Sequence, residues 1–227
     1  MNFDDWEPVY EAILADFGFE RAADERARDL LAELLADERP LALDGLDADG
    51  ETVAVAGAGP NLEAETAMAT EADAVFAAST AADRLLSAGV TVDCMVTDLD
   101  KNPGTVRSLT ARGVPVAVHA HGDNVPAVRE HVPTFDAGWV LPTTQAAPVG
   151  PVVNPGGFTD GDRAAFLADH LGAERLVFPG WDFDDPSVDA SKARKLRWAE
   201  RLLAWLERRR GEHFPVLDGR RSDVDQV

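Results

Sequence analysis

The chain has 227 residues, 45% of them hydrophobic, and a formal charge of −20. That length suits one large domain, or one domain with appendages, and supplies enough apolar residues for a sizeable core. The acidity excludes the basic face that a nucleic-acid partner requires.

The lone cysteine, Cys94, allows no intrachain disulfide and suits a reducing compartment. No charged-then-apolar leader opens the chain, and no apolar run approaches the roughly 20 residues of a membrane span. A cytoplasmic protein with no membrane partner is the expectation. The acids are spread along the chain, which favours a solvating surface for a salt-rich cytoplasm over an acidic interaction surface.

Phe3, Trp6, Val9, Tyr10, Ile13, Leu14 and Phe17 recur at helical spacing. Gly18 interrupts, a second helix is predicted over residues 22–35, and Pro40 follows its end. This N-terminal helical cap, residues 1–50, reads as apolar core without catalytic chemistry. A buried strand from Thr52 then runs into Gly57, Ala58, Gly59, Pro60 and Asn61, with helix-forming residues at 63–70. Glycine lets a backbone approach a ligand, and a helix start offers free N–H groups to an anion. Gly57, Gly59, Pro60 and Asn61 are thus candidate nucleotide contacts; a mere tight turn is the alternative, and a nucleotide or similar ligand is the favoured reading.

A strand at 74–78 and a helix at 81–88 lead to two Val-rich runs flanking a predicted helix at 103–112. The first run ends in Thr97-Asp98-Leu99-Asp100-Lys101-Asn102, the second in His119-Ala120-His121-Gly122-Asp123-Asn124. A helix at 125–131, a strand within 134–141 and a long loop at 142–155 come next; loops of that length are usually functional or mobile. A Gly-rich acidic stretch, Gly156 to Arg163, precedes a helix at 164–171. A strand at 175–178 and a long helix at 191–210 complete the pattern. A polar tail from Gly211, residues 211–227, is expected to fray. The alternation predicts an α/β fold over residues 51–210: a Rossmann-like, mostly parallel sheet with helices on both faces. Ligands of such sheets sit beyond the carboxyl ends of the strands, so the polar clusters should meet at one site.

Asp98 and Asp100 suit Mg²⁺, a hard cation shared between one or two carboxylates and substrate phosphates. His119, His121 and Asp123 have ligand spacing for Zn²⁺ or Fe, although Gly122 and Asn124 suggest a turn that contacts a phosphate or a ring. Thr159 or Asp160 can cap the following helix, Asp162 adds a further carboxylate, and Arg163 could fork onto a phosphate. Of 21 basic residues only Lys101, Lys192 and Lys195 are lysines, and a compact ammonium is a common phosphate binder. A metal-dependent hydrolase, a nucleotide-binding regulatory module and a sugar-modifying enzyme all stay open on these grounds.

Taken together, VTDLD, HAHGDN, GFTDGDRA and the earlier GAGPNL resemble the archaeal 6-hydroxymethyl-7,8-dihydropterin pyrophosphokinase family, over roughly residues 53–206. That family is similar in fold to thiamine pyrophosphokinases, whose metal-binding Asp motif resembles residues 97–100. PGWDF at 179–183 resembles the family's Gly-x-Asp-Phe strand end, with Trp181 at the variable place. The resemblance implies transfer of diphosphate from ATP to the pterin hydroxymethyl group, with Mg²⁺, in tetrahydromethanopterin or folate synthesis. It implies Asp98 and Asp100 as Mg²⁺ ligands, and Lys101, Arg163, Lys192 and Lys195 as cations for developing charge. Asp123, Asn124, Asp160 and Asp162 would bind the pterin ring, hold a second metal or position the hydroxymethyl group. His119 or His121 would accept the hydroxyl proton. ATP and pterin are the implied small-molecule partners; a homo-oligomer is left open.

Overall fold

A computed structural model describes residues 1–222; residues 223–227 of the expected tail lie outside the described residues. In chain order the elements are α1 (Phe3–Phe17), α2 (Arg21–Leu34), β1 (Thr52–Ala56), α3 (Thr66–Thr70), β2 (Ala74–Ala78), α4 (Ala81–Ser87), β3 (Cys94–Thr97), α5 (Pro103–Thr110), β4 (Val116–Ala120), α6 (Val125–His131), β5 (Val140–Thr144), α7 (Asp160–His170), β6 (Arg175–Val177) and α8 (Ala190–Arg210). They form two compact units. The first joins Met1–Asp47 to Asp93–Gly156, and the second joins Ala48–Val92 to the chain from Gly157 onward.

In the first unit the strands run in the order β5-β4-β3. Met95 pairs with Val116, and Val118 with Pro142, both in parallel register. In the second unit the order is β2-β1-β6, with Val53 beside Ala74 and Thr52 beside Arg175, again parallel. Successive strand residues point to opposite faces, and β2, β4 and β5 are buried at every position. Both faces of these strands are therefore covered, as parallel sheets require. The α/β, Rossmann-like expectation holds.

The N-terminal helices pack as elements of the first unit, with α2 against β4, β5 and α6. Asn2 caps α1 by accepting a hydrogen bond from the Asp5 amide at 2.9 Å, and Gly18, at φ 70°, ends it. Trp6, Tyr10 and Ile13 are fully buried, as their spacing predicts.

Three boundaries differ from the sequence expectation. The strand predicted within 134–141 is β5, Val140–Thr144. Short 3-10 turns at Val132–Thr134 and Ala137–Trp139 occupy the earlier residues. Pro142 is tolerated because β5 ends its row of strands. Helix α7 begins at Asp160, not 164, because Thr159 and Asp162 form a capping box. The expected fraying from Gly211 is also corrected for the described residues. Phe214 and Leu217 are fully buried, and the Phe214 ring lies 4.8 Å from that of Phe178. These two apolar side chains, with the ion pairs of Arg220 to Glu200 and Arg221 to Glu207, anchor the stretch. Among the described residues, no helix is long and apolar enough to cross a membrane.

Phe214→Ala should destabilise the protein by about 3–5 kcal/mol in denaturant unfolding, the usual effect of emptying a buried aromatic site. A frayed tail would show no change.

Candidate active site

In the first unit, the turn after β3 breaks the strand's alternation. Thr97 Oγ1 accepts from the Leu99 amide at 3.0 Å, and Asp98 Oδ1 from the Asp100 amide at 3.2 Å. Leu99 takes a left-handed backbone, φ 68°, which a branched side chain rarely adopts. Its side chain is buried, while Asp98 keeps part of its surface and Asp100 is exposed. The chain does turn between the two carboxylates.

The turn after β4 meets this one. Asn124 donates from Nδ2 to the carbonyls of Asp98 and His119, both at 2.7 Å, and its Oδ1 accepts from the His121 amide at 2.9 Å. Asn124 is buried. It is a staple between the two turns, not the ligand contact expected from the sequence. His121 Nε2 lies 3.4 Å from Asp98 Oδ2, and His121 Nδ1 accepts from the Asp123 amide at 3.4 Å. With Nδ1 accepting, Nε2 is the ring nitrogen left to donate toward the Asp98 carboxylate.

The two histidines part company. His119 is buried inside β4, its Nδ1 3.1 Å from Thr143 Oγ1, whereas Asp123 is exposed. Among the described residues, no three His, Cys, Asp or Glu side chains group so as to hold a metal ion. The transition-metal reading of His119, His121 and Asp123 is therefore corrected: the two imidazole rings lie 6.2 Å apart, but His119 is buried against Thr143 and Asp123 is exposed, so the three do not gather around one point. Burial also removes His119 as the acceptor of a substrate proton.

In the second unit, the Gly57–Gly59 turn is occupied by its own chain. The Gly57 amide donates to Pro179 O at 2.9 Å, and the Gly59 amide to Gly180 O at 2.7 Å. A Cβ on Gly57 would lie 2.6 Å from Gly180 O and 3.1 Å from the Trp181 ring. The glycines make room for the segment after β6, and their amides are engaged. The expected anion cradle is corrected accordingly. Next along the chain are a 3-10 turn at Leu62–Glu65 and a five-residue α3, so no long helix start offers free donors. Pro60 is exposed and has no N–H. Asn61 donates from Nδ2 to Trp181 O at 3.3 Å. Arg84 clamps the same turn, donating to Ala58 O at 2.7 Å and Gly59 O at 3.0 Å while pairing with Glu63, whose carboxyl it holds down at about 2.

Trp181 sits between the two glycine-bearing turns of this unit. Its indole N–H donates to Val55 O at 2.8 Å. A Cβ on Gly161 would lie 2.8 Å from the benzo edge of the ring. At the start of α7, Asp162 is fully buried; its carboxylate accepts from the Phe158 amide, from the Thr159 amide at 3.0 Å and from Thr159 Oγ1 at 2.6 Å. Burial pushes its carboxyl up, against those hydrogen bonds. Asp162 is a cap, not a substrate contact. Arg163 is buried and pairs with Asp160 at 3.0 Å, so its guanidinium already has a carboxylate partner. Of the lysines, Lys101 and Lys192 are exposed and Lys195 is half-buried.

The sequence reading missed Asp24, Tyr10 and Gln145. Asp24 is 3% exposed and stands on the buried face of α2, in step with Ala27 and Leu31. An acid at a core position was the available signal. Its carboxylate accepts from the Gly122 amide, Tyr10 Oη and Gln145 Nε2, each at 2.8 Å.

A parallel α/β protein with paired carboxylates on a strand-end turn has the build of a phosphoryl-transfer enzyme. Residues 31–187 match the family model described as 6-hydroxymethylpterin diphosphokinase MptE-like. The chain is 39% identical to the 6-hydroxymethyl-7,8-dihydropterin pyrophosphokinase of Methanothermobacter thermautotrophicus, over 92% of this chain and 96% of that one. It is 38% identical to the protein of the same name from Pyrococcus furiosus, over 91% of this chain and 95% of the relative. A third, from Methanocaldococcus jannaschii, is 29% identical over 91% and 96%. The chain belongs to the MptE-like 6-hydroxymethylpterin diphosphokinase family.

Gly161→Ala should destabilise the fold by about 1–3 kcal/mol, the usual range for overpacking. Adding Trp181→Leu should recover part of that loss in thermal unfolding. Additive losses in the double variant would show that the two do not press on each other.

Proposed function

We propose that this chain transfers a diphosphate from ATP to 6-hydroxymethyl-7,8-dihydropterin, releasing AMP and the pterin diphosphate, for tetrahydromethanopterin or folate synthesis. The observation that carries the reading is the Asp98-Leu99-Asp100 turn stapled by Asn124 to the His121 turn. The family match and the names of the relatives support it.

In the reaction, the pterin hydroxyl oxygen attacks the β-phosphorus of ATP. The bond from that phosphorus to the α,β-bridging oxygen breaks, AMP leaves, and the hydroxyl proton passes to a base or to water. Such transfers depend on positioning and charge neutralisation more than on covalent help from the protein. The donor set fits Mg²⁺: Asp98 and Asp100 offer hard carboxylate oxygens on one turn, leaving other positions for phosphate and water. A bound Mg²⁺ would neutralise phosphate oxygens as charge moves onto the leaving group. His121, whose Nε2 lies 3.4 Å from Asp98 Oδ2, fixes the direction of that carboxylate. Lys101, next to Asp100 and exposed, is the cation assigned to a phosphate in this reading. For the second unit taken by itself, Asn61, Thr159, Asp160, Lys192 and Lys195 are its candidate ligand contacts. The acidic surface belongs to the same reading, as a solvating coat for a salt-rich cytoplasm.

Purified protein with Mg²⁺ should release AMP only when both ATP and the pterin are present. No AMP from that pair sinks the reading, and nucleotide binding without turnover would point to a regulatory module. Asp98→Ala should lower kcat by on the order of 100-fold or more with the fold intact; unchanged turnover would remove Asp98 from the metal role. Raising KCl from about 0.1 M to about 1 M shortens the screening length from about 10 Å to about 3 Å. The melting temperature should rise with it, and a flat response would count against the salt-rich setting.

A further inference from the structure

We infer that Asp24 is a positioning residue for this reaction: its buried carboxylate fixes the turn at Gly122, and through that turn the pairing of His121 with Asp98. The inference rests on the proposed function, because that reading makes the turn part of the active site.

The division of labour on the carboxylate carries the inference. Oδ2 accepts from Tyr10 Oη and from Gln145 Nε2, both at 2.8 Å, which orients the group. Oδ1 accepts from the Gly122 amide, also at 2.8 Å. All three donors are neutral, and burying a carboxylate among neutral donors is costly compared with an apolar side chain of similar size. An apolar residue at position 24 would pack against Ala27 and Leu31 but would leave the Gly122 amide without this acceptor. Burial and the Asp24 carboxylate push the Tyr10 hydroxyl well above its ordinary value, so it remains a donor.

Contact reinforces the hydrogen bond. A Cβ at Gly122 would lie 2.6 Å from Ala23 Cβ, so the turn's backbone rests directly on α2. From Gly122 the path is short. The adjacent His121 amide is held by Asn124 Oδ1, and Asn124 holds Asp98 O. On the other side, Gln145 O accepts from Trp6 Nε1 at 2.9 Å and from Asn154 Nδ2 at 2.9 Å. Asp24 thus links α1, α2 and the loop after β5 to the turn that faces Asp98. The N-terminal helices form part of the frame of the site.

The test uses the full chain and three variants: Asp24→Ala, Asp24→Asn and Tyr10→Phe. Two readouts are taken below the melting temperature of each: amide hydrogen exchange over residues 121–124, and kcat and KM for AMP release. Outer-shell partners of a metal site typically contribute about 10–100-fold to activity. Asp24→Ala should therefore speed exchange at Gly122 and lower kcat by about 10-fold or more, with KM for ATP little changed. Asp24→Asn keeps an oxygen for the Gly122 amide and should recover most of that kcat. Tyr10→Phe, which leaves the Gly122 bond in place, should lower the melting temperature more than it lowers kcat. Folded Asp24→Ala with wild-type kcat, or with unaltered exchange at Gly122, overturns the inference. If Asp24→Ala does not fold, equal losses of kcat in Asp24→Asn and Tyr10→Phe that track melting temperature overturn it. If wild-type protein releases no AMP, the proposed reaction falls, while exchange at Gly122 in Asp24→Ala still decides whether Asp24 fixes the turn.

Discussion

The side-chain amide of Asn124 holds together two turns that have run past the last ladder bonds of β3 and β4. Beyond a strand end, backbone groups lose their sheet partners, and a buried group left unsatisfied costs about 1–3 kcal/mol. Asn124 supplies both kinds of partner: two donors for Asp98 O and His119 O, and one acceptor for the His121 amide. Few side chains can do this, since the task needs an acceptor and a forked donor on one short stem. Replacing it would release the TDLD turn from the HAHGDN turn and leave buried groups without partners.

Phosphoryl transfer explains why that rigidity is useful. Its catalysis consists largely of holding charges in place, so loose carboxylates would contribute little. The left-handed Leu99 is part of the same arrangement. Such backbone costs on the order of 1–3 kcal/mol and persists only where its surroundings over-determine it. Here the hydrogen bonds from the Leu99 and Asp100 amides and the burial of the Leu99 side chain do so. Asp24 supports the second turn from beneath, so the first unit places its two carboxylates on a surface braced from both sides.

The second unit shows how one residue pattern can serve two ends. Gly57 and Gly59 read as glycines that admit a ligand. The structure gives the space beside Gly57 and Gly59 to the Gly180 carbonyl, and that beside Gly57 and Gly161 to the Trp181 ring. Close approach was the right physical inference, but the approaching group is the protein's own chain. Asp162 makes the same point. A carboxylate in a Gly-rich acidic stretch suggested substrate contact, yet it caps α7 and is fully buried. Motif membership states that a residue type is needed; it does not state whether it touches ligand or neighbour.

Local rules were sufficient for much of this protein. Val-rich runs of strand length, helical spacing between them and polar clusters at their ends specify parallel strands with a polar carboxyl edge. The motifs VTDLD, HAHGDN and GFTDGDRA, with GAGPNL, carry the resemblance to the family that the match over residues 31–187 shows. Local rules misplaced what depends on contacts distant in sequence. Asp24 and Gly122 are 98 residues apart, and Trp181 and Val55 are 126 apart. Periodicity along a chain reports which face is buried, not which buried groups meet. Tertiary structure alone decided that an acid in an N-terminal helix braces the second turn, that Asn124 and Asp162 are structural, and that His119 is buried against Thr143 while His121 meets Asp98. In each case the outcome was set by burial, which makes every polar group find a partner wherever the fold happens to bring one.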